Sequence, residues 1–296
     1  MKVLASVKRI RFSNILLATD FSAAANAAAP YGAKIAEYYG SKLFVLYVRP
    51  PAINPNTQPA SWRKEEEAAR FKEEQQRGEL LGMFPGLEPE IMIEDGDLWS
   101  NLNVAIEKNN IDLIVIGTRG RSGLGKLLLG STAEEIFREA PCAVLTVGPH
   151  VSAMPERNGE ITRILFATDF SPESAAARYA VSLAQEYQAQ LQLLHVIEDP
   201  KADELVRPAD LAKATEQRLR GLIPEEAKLW CVPEYIVEQG KVAETILNVA
   251  AREKAELIVL GVRQPRGVPG AATHLSTATA HQVVSHAICP VLTIRG

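Results

Sequence analysis

The chain contains one unit written twice, and this duplication limits its architecture more than any other feature. Ile15–Ser22 reads Ile-Leu-Leu-Ala-Thr-Asp-Phe-Ser and returns with one substitution at Ile164–Ser171. Ile111–Gly117, ending Leu-Ile-Val-Ile-Gly, returns at Ala255–Gly261, ending Leu-Ile-Val-Leu-Gly. Ala143–Val147 returns at Pro290–Ile294. The three correspondences keep nearly one spacing, so the unit is a domain and the repeat is not a short solenoid period. With 296 residues, each copy is long enough to bury a core of its own. The division expected is 1–149 and 160–296. Residues 148–160, with Gly148-Pro149, Met154-Pro155 and Asn158-Gly159, form the linker.

Each copy reads as strands alternating with helices. In the first, Ile15–Thr19 is a strand, and Ser22 caps a helix that runs to about Tyr39 and closes at Gly40. Lys42–Val48 is the second strand, residues 50–59 are a proline-rich loop, and a charged helix covers about 61–81. Glu90–Glu94, a helix over Leu98–Asn109, Leu113–Gly117, a helix after Ser131 and Ala143–Val147 complete the copy. The second copy repeats the order. It has strands at Arg163–Thr168, Gln190–Val196, Tyr235–Val237, Leu257–Gly261 and Pro290–Ile294. Its helices follow Ser171 and cover Asp203–Leu222, Val242–Lys254 and Ser276–Ser285. The fold class is therefore α/β: two tandem doubly wound domains, each a five-stranded parallel sheet with helices on both faces.

The stretch most able to carry chemistry follows the fourth strand of the first copy. From Gly117 to Thr132 it reads Gly-Thr-Arg-Gly-Arg-Ser-Gly-Leu-Gly-Lys-Leu-Leu-Leu-Gly-Ser-Thr. Glycines let a backbone approach a ligand closely, and the free N–H groups at the following helix start suit a phosphate. Arg119, Arg121 and Lys126 add positive charge. By composition alone a basic surface loop would read similarly. The spacing from Gly120 to Lys126 imitates part of a P-loop, but Leu127 stands where the magnesium-holding Ser or Thr would be.

In open α/β sheets ligands settle beyond the carboxyl ends of strands where the strand order reverses. If the first and fourth strands are neighbours, Asp20 and the glycine stretch face one crevice. Asp20 then accepts from a ribose hydroxyl or a base amino group, or else only helps start the helix after Ser22.

These motifs resemble the tandem universal stress proteins. The nucleotide-binding members carry Gly-x2-Gly-x9-Gly-Ser/Thr after the fourth strand, and Gly117, Gly120, Gly130 and Ser131 meet that pattern in full. The opening Leu-Ala-Thr-Asp-Phe-Ser is also the family's way of starting, and the likeness covers nearly the whole chain. It implies an adenine-nucleotide α-hydrolase-like fold that binds ATP, with or without Mg2+. By the same resemblance Ala18, Thr19, Asp20 and Val48 surround the nucleoside. Gly117, Gly120, Gly130, Ser131 and Thr132 hold phosphates and ribose, with Arg119, Ser122 and Gly123 nearby. Fifth strands in this family pair across a two-fold, which implies a homodimer or an intrachain pseudo-dimer.

The second copy departs from the pattern. Gln264 replaces the second glycine, Leu275 precedes Ser276 in place of glycine, and Pro265 and Pro269 remove backbone donors. Asp169, Val196, Gly261, Ser276 and Thr277 persist. Weaker or absent nucleotide binding is expected there.

Other chemistry is thinly supported. A net charge of −4 gives no bulk reason to expect nucleic-acid binding. No apolar run approaches the roughly 20 residues that span a bilayer, and the basic start lacks the apolar core of a signal peptide. Cys142, Cys231 and Cys289 lack metal or disulfide spacing, so a cytoplasmic location is the default. Cys142 and Cys289 hold matching places and read as small buried residues. His281 and His286 are five apart, which is not the spacing of a helical metal pair. No nucleophile stands with a base and an orienting group, so the expectation is a nucleotide-dependent binding module in stress response with an unknown protein partner. A slow ATPase and a scaffold that binds no nucleotide are the alternatives.

Overall fold

A computed structural model shows an α/β protein built on one large mixed sheet flanked by helices. The structure describes residues 9–49, 62–118, 133, 135–136, 139–151, 161–170, 175–198, 208–229, 231–262 and 277–295. In the first half, β1 (Asn14–Thr19) is followed by α1 (Ala23–Tyr39), β2 (Lys42–Arg49), α2 (Trp62–Gly82) and β3 (Glu90–Asp95). Next come α3 (Leu98–Asn109), β4 (Leu113–Gly117) and β5 (Ala143–Val147), with residues 133, 135, 136 and 139 helical between the last two. The second half runs β6 (Arg163–Ala167), α4 (Ala176–Tyr187), β7 (Gln190–Ile197), α5 (Pro208–Gly221) and a 3-10 turn (Glu225–Leu229). It ends with β8 (Glu234–Gln239), α6 (Val242–Arg252), β9 (Leu257–Val262), α7 (Thr277–His286) and β10 (Val291–Arg295).

The strands form a single ten-stranded sheet in the order β3-β2-β1-β4-β5-β10-β9-β6-β7-β8. Every pairing is parallel except the central one, where β5 and β10 run antiparallel with Leu145 opposite Leu292. The fifth strands are therefore joined to each other inside one chain, and β3 and β8 are the strands at the two ends. Thr293 Oγ1 adds a side-chain bond across the seam, donating to the Val144 carbonyl at 3.2 Å.

The central strands read as unbroken apolar runs because both their faces are covered. In β1, Ile15 and Leu17 join one buried cluster with α1, while Leu16 joins the other with α3. The same division in the second half puts α4 and α5 on the first face and α6 and α7 on the second. Local chemistry starts and stops the helices. Ser22 accepts the Ala25 N–H at the start of α1, a cap worth about 1 kcal/mol. At the other end Gly40 takes φ +64°, and Ser41 N–H closes on the Ala36 carbonyl.

Most predicted boundaries match within two residues. β8 extends beyond the three residues expected of it, and the 3-10 turn was not expected. α5 begins in the described residues at Pro208, later than Asp203. The proline-rich loop, most of the linker and the Ser171 cap lie outside the described residues.

Candidate functional site

The strand order of each half reverses between its first and fourth strands, the position beyond the carboxyl ends of β1 and β4 where open α/β sheets generally take ligands. The turn leaving β1 is built by its own side chains. The Phe21 N–H donates to Thr19 Oγ1 at 3.1 Å, and the Ser22 N–H donates to Asp20 Oδ1 at 2.9 Å. Phe21 sits in the left-handed region at φ +60°, which costs an L-residue about 1–2 kcal/mol. Two hydrogen bonds at about 1 kcal/mol each offset that cost. The Phe21 ring also packs edge-on against Tyr47, with centroids 4.9 Å apart. The repeated Thr-Asp-Phe-Ser is thus a turn with a physical specification. The second half forms the same turn, with Phe170 at φ +61° and its N–H on Thr168 Oγ1 at 2.9 Å.

The predicted residues fall on two faces of the sheet. Ala18 and Val48 pack against the cluster that holds α3. Val48 is half-buried and paired with Glu94 of β3. The neighbouring Arg49 carbonyl accepts the Gly96 N–H on the β3 side. Backbone groups alternate along a strand, so those of Val48 point the other way, toward the space past the end of β1. Thr19 is buried and its hydroxyl is turned into the Phe21 turn. Asp20 is half-buried and meets the Ser22 N–H, the contact expected of a residue that starts the helix.

Gly117 faces α1. A Cβ at this position would stand 2.3 Å from the Ala24 carbonyl oxygen and 2.8 Å from the Ala25 nitrogen. Glycine is required here so that the end of β4 can pass against the first turn of α1. The next residue, Thr118, donates its N–H to the Val147 carbonyl at 3.2 Å. Its side chain is buried, with a hydroxyl that has no hydrogen-bond partner among the described residues. Thr118 was not among the predicted residues, and only its position at the mouth of the glycine stretch could have drawn notice. Arg119, Gly120, Ser122, Gly123, Gly130, Ser131 and Thr132 lie outside the described residues.

Beside Val48, Arg49 grips Asp95 through two hydrogen bonds of 2.8 and 2.7 Å and reaches Glu73 at 3.4 Å. These bonds hold its guanidinium above the usual range and tie β2, β3 and α2 together.

In the second half, Asp169 and Gly261 are half-buried, and Val196 is buried. Thr277 opens α7, and Ser276 lies outside the described residues. Where the first half has Tyr47, the second has His195. Its Nδ1 lies 2.7 Å from the Thr168 carbonyl, and its ring lies 4.5 Å from that of Phe170. Burial pushes the His195 imidazole below its ordinary pKa, and the nearby Arg218 charge pushes the same way. The Arg218 guanidinium stacks 4.0 Å from the Phe170 ring centroid.

Both halves match the universal stress protein family model, over residues 11–148 and 160–295. The chain belongs to the universal stress protein family. Its two family domains stand in tandem, as expected from the duplicated sequence. A universal stress protein of Mycolicibacterium smegmatis is 26% identical over 300 residues, covering 95% of this chain and 96% of that one. A shorter family member from Thermus aquaticus is 34% identical over 140 residues, 46% of this chain and 98% of its own. The crystal structure of a universal stress protein from Archaeoglobus fulgidus superposes with a TM-score of 0.69 over 97% of this chain and 99% of that one. At 23% identity, that likeness speaks for the fold.

The described residues also form an open depression of about 550 Å³ whose lining includes Arg9, Gln185, Gln188, Ala189, Cys231 and Val232. It shares no residue with the predicted site. Cys142 is half-buried, whereas Cys231 and Cys289 are buried. Burial raises all three thiols, Cys142 and Cys289 to about 12. No helix among the described residues is long and apolar enough to cross a membrane.

Proposed function

We propose that this universal stress protein binds ATP in the crevice of its first half and acts as a nucleotide-dependent regulatory module. The observation that carries the reading is the pairing of β1 with β4. With β2 on the other side of β1, the strand ends that carry Val48, Asp20 and Gly117 are neighbours, which supports one site among them. In this reading each half, 1–149 and 160–296, is a doubly wound, adenine-nucleotide α-hydrolase-like domain. Asp20 accepts from the nucleoside and Val48 offers its backbone to the adenine edge. Ala18 and Thr19 contribute the adjoining strand end. Gly117, Arg119, Gly120, Ser122, Gly123, Gly130, Ser131 and Thr132 take the ribose and phosphates, with or without Mg2+. The second crevice, with Asp169, Val196, Gly261, Ser276 and Thr277, binds more weakly or not at all. The protein works in the cytoplasm, as an intrachain pseudo-dimer or a dimer of chains, and signals to a protein partner according to whether nucleotide is bound.

Titration calorimetry with ATP tests this reading. One site per chain is expected, weakened about tenfold by Asp20→Ala, a loss of about 1.4 kcal/mol. Unchanged affinity in that variant would assign Asp20 to the turn alone. Steady multiple turnovers, abolished by substitutions in the glycine stretch, would instead make the protein a slow ATPase. No binding at all would leave a scaffold.

A further inference from the structure

The two halves also meet away from both crevices, where the last turn of α1 lies against the last turn of α4. Tyr39 and Tyr187 hold matching places in the two copies. Their rings lie 6.3 Å apart and nearly perpendicular. Tyr38 breaks the two-fold, because Glu186 occupies its place in the second copy. The Tyr38 ring lies over Tyr187 with centroids 4.7 Å apart and planes inclined by 35°. Its hydroxyl donates to the Glu186 carbonyl, which anchors the ring on the other half. Tyr38 is also 48% exposed, while Tyr39 is buried and Tyr187 half-buried. The chain has seven tyrosines. Among the described tyrosine–tyrosine contacts, this pair has the nearest centroids, and one member is open to solvent.

We propose that Tyr38 and Tyr187 form an oxidative cross-linking site, joined under one-electron oxidation as an intramolecular dityrosine that ties the two halves covalently. The co-reactant is a one-electron oxidant, such as the oxidised haem of a peroxidase fed with hydrogen peroxide. It removes one electron from exposed Tyr38, whose phenol proton passes to water. The resulting phenoxyl radical exchanges an electron and a proton with the Tyr187 phenol against it. A second one-electron oxidation at Tyr38 leaves a radical on each ring. The two radicals form a carbon–carbon bond between ring positions ortho to the hydroxyls. The hydrogens on those carbons then move to the oxygens and restore both aromatic rings. Overall the protein loses two protons and two electrons, and one molecule of peroxide with two protons becomes two of water.

The surroundings favour this route over thiol chemistry. Thiolates are the reactive form of cysteine, and burial keeps all three thiols protonated at neutral pH. Burial also raises the Tyr39 and Tyr187 phenols, so both stay protonated until oxidised and the exposed Tyr38 is the entry point. The new bond would close a long loop in the unfolded chain and so hold the halves together. This inference does not depend on nucleotide binding.

The test treats the full chain with a peroxidase and limiting hydrogen peroxide, then digests it with trypsin for mass spectrometry. The expected product joins peptide 35–42 to peptide 179–201 with the loss of two hydrogen atoms. Dityrosine fluorescence should appear in monomeric protein. Tyr38→Phe, which keeps the ring and its packing, should remove the joined peptide, as should Tyr187→Phe. Tyr39→Phe should retain at least half of it. Three results would overturn the proposal: joined peptides that persist in Tyr38→Phe, dityrosine found only between chains, or Tyr38 oxidised singly with the two peptides unjoined.

Discussion

The two halves of this protein share a frame at the reversal of strand order and differ in what surrounds it. In both, a parallel strand pair lies at that reversal, and a left-handed phenylalanine follows the first strand. Phe21 leans on Tyr47, and Arg49 beside it is held by Asp95 and Glu73. Phe170 instead touches both His195 and the Arg218 guanidinium, and Ile197 stands where Arg49 would be. The glycines of the stretch after Gly117 have no full counterpart after Gly261. The turn and the sheet are therefore common to both halves, and the residues around them are not.

Substitutions can break that comparison at several strengths. Gly117→Val should act most strongly. Its Cβ would meet the Ala24 carbonyl oxygen at 2.3 Å, so α1 or β4 must shift. Overpacking of this kind costs about 1–3 kcal/mol. Denaturant unfolding should show that loss, and calorimetry should show ATP affinity reduced beyond measurement. A fully stable variant that binds like the parent would remove Gly117 from the account.

Next in size is the contrast between Asp20→Ala and Asp169→Ala. The first should weaken ATP binding about tenfold, and the second should leave it unchanged. Equal effects would make the crevices equivalent. Arg218→Ala is smaller still. Losing the cation–π contact at a surface site costs about 0.5–1 kcal/mol, and the loss should be read in unfolding with ATP binding intact.

The smallest effect is a pH dependence confined to the second half. The folded pKa of His195 lies below its unfolded value, so the unfolded chain binds the extra proton first. The stability from neutral His195 is fully present above about 6.5, the ordinary histidine value. It is lost as the pH falls from there through the folded pKa. His195→Phe should flatten the urea midpoint against pH across that window, and an unchanged slope would show that His195 is not its source.

Much of the fold was legible in the residues because the signals are local. Ser22 and Gly40 bracket α1 by capping chemistry, and Leu113–Ile116 is apolar enough to be covered on both faces. The Thr-Asp-Phe-Ser repeat marked the turn, although its left-handed phenylalanine and the return of Thr19 Oγ1 to the backbone needed coordinates. Other features are non-local and left little trace. That β5 and β10 pair inside the chain was expected only through the family resemblance, because the pairing joins residues about half the chain apart. The contact of Tyr38 with Tyr187, the stacking of Arg218 on Phe170 and the buried hydroxyl of Thr118 also arise from packing. Val48 was placed by resemblance, because a valine at a strand end looks like core. Its backbone groups face the β1 side, which sequence alone does not show.

The central claim, one nucleotide site in the first half, is tested most directly by counting. Freshly purified protein is denatured, and the nucleotide it releases is identified by chromatography and mass spectrometry, in moles per chain. The account predicts about one adenine nucleotide per chain, as ATP, in the parent and in Asp169→Ala, and almost none in Gly117→Val. Two per chain, or one that disappears with Asp169→Ala and survives Gly117→Val, would contradict it.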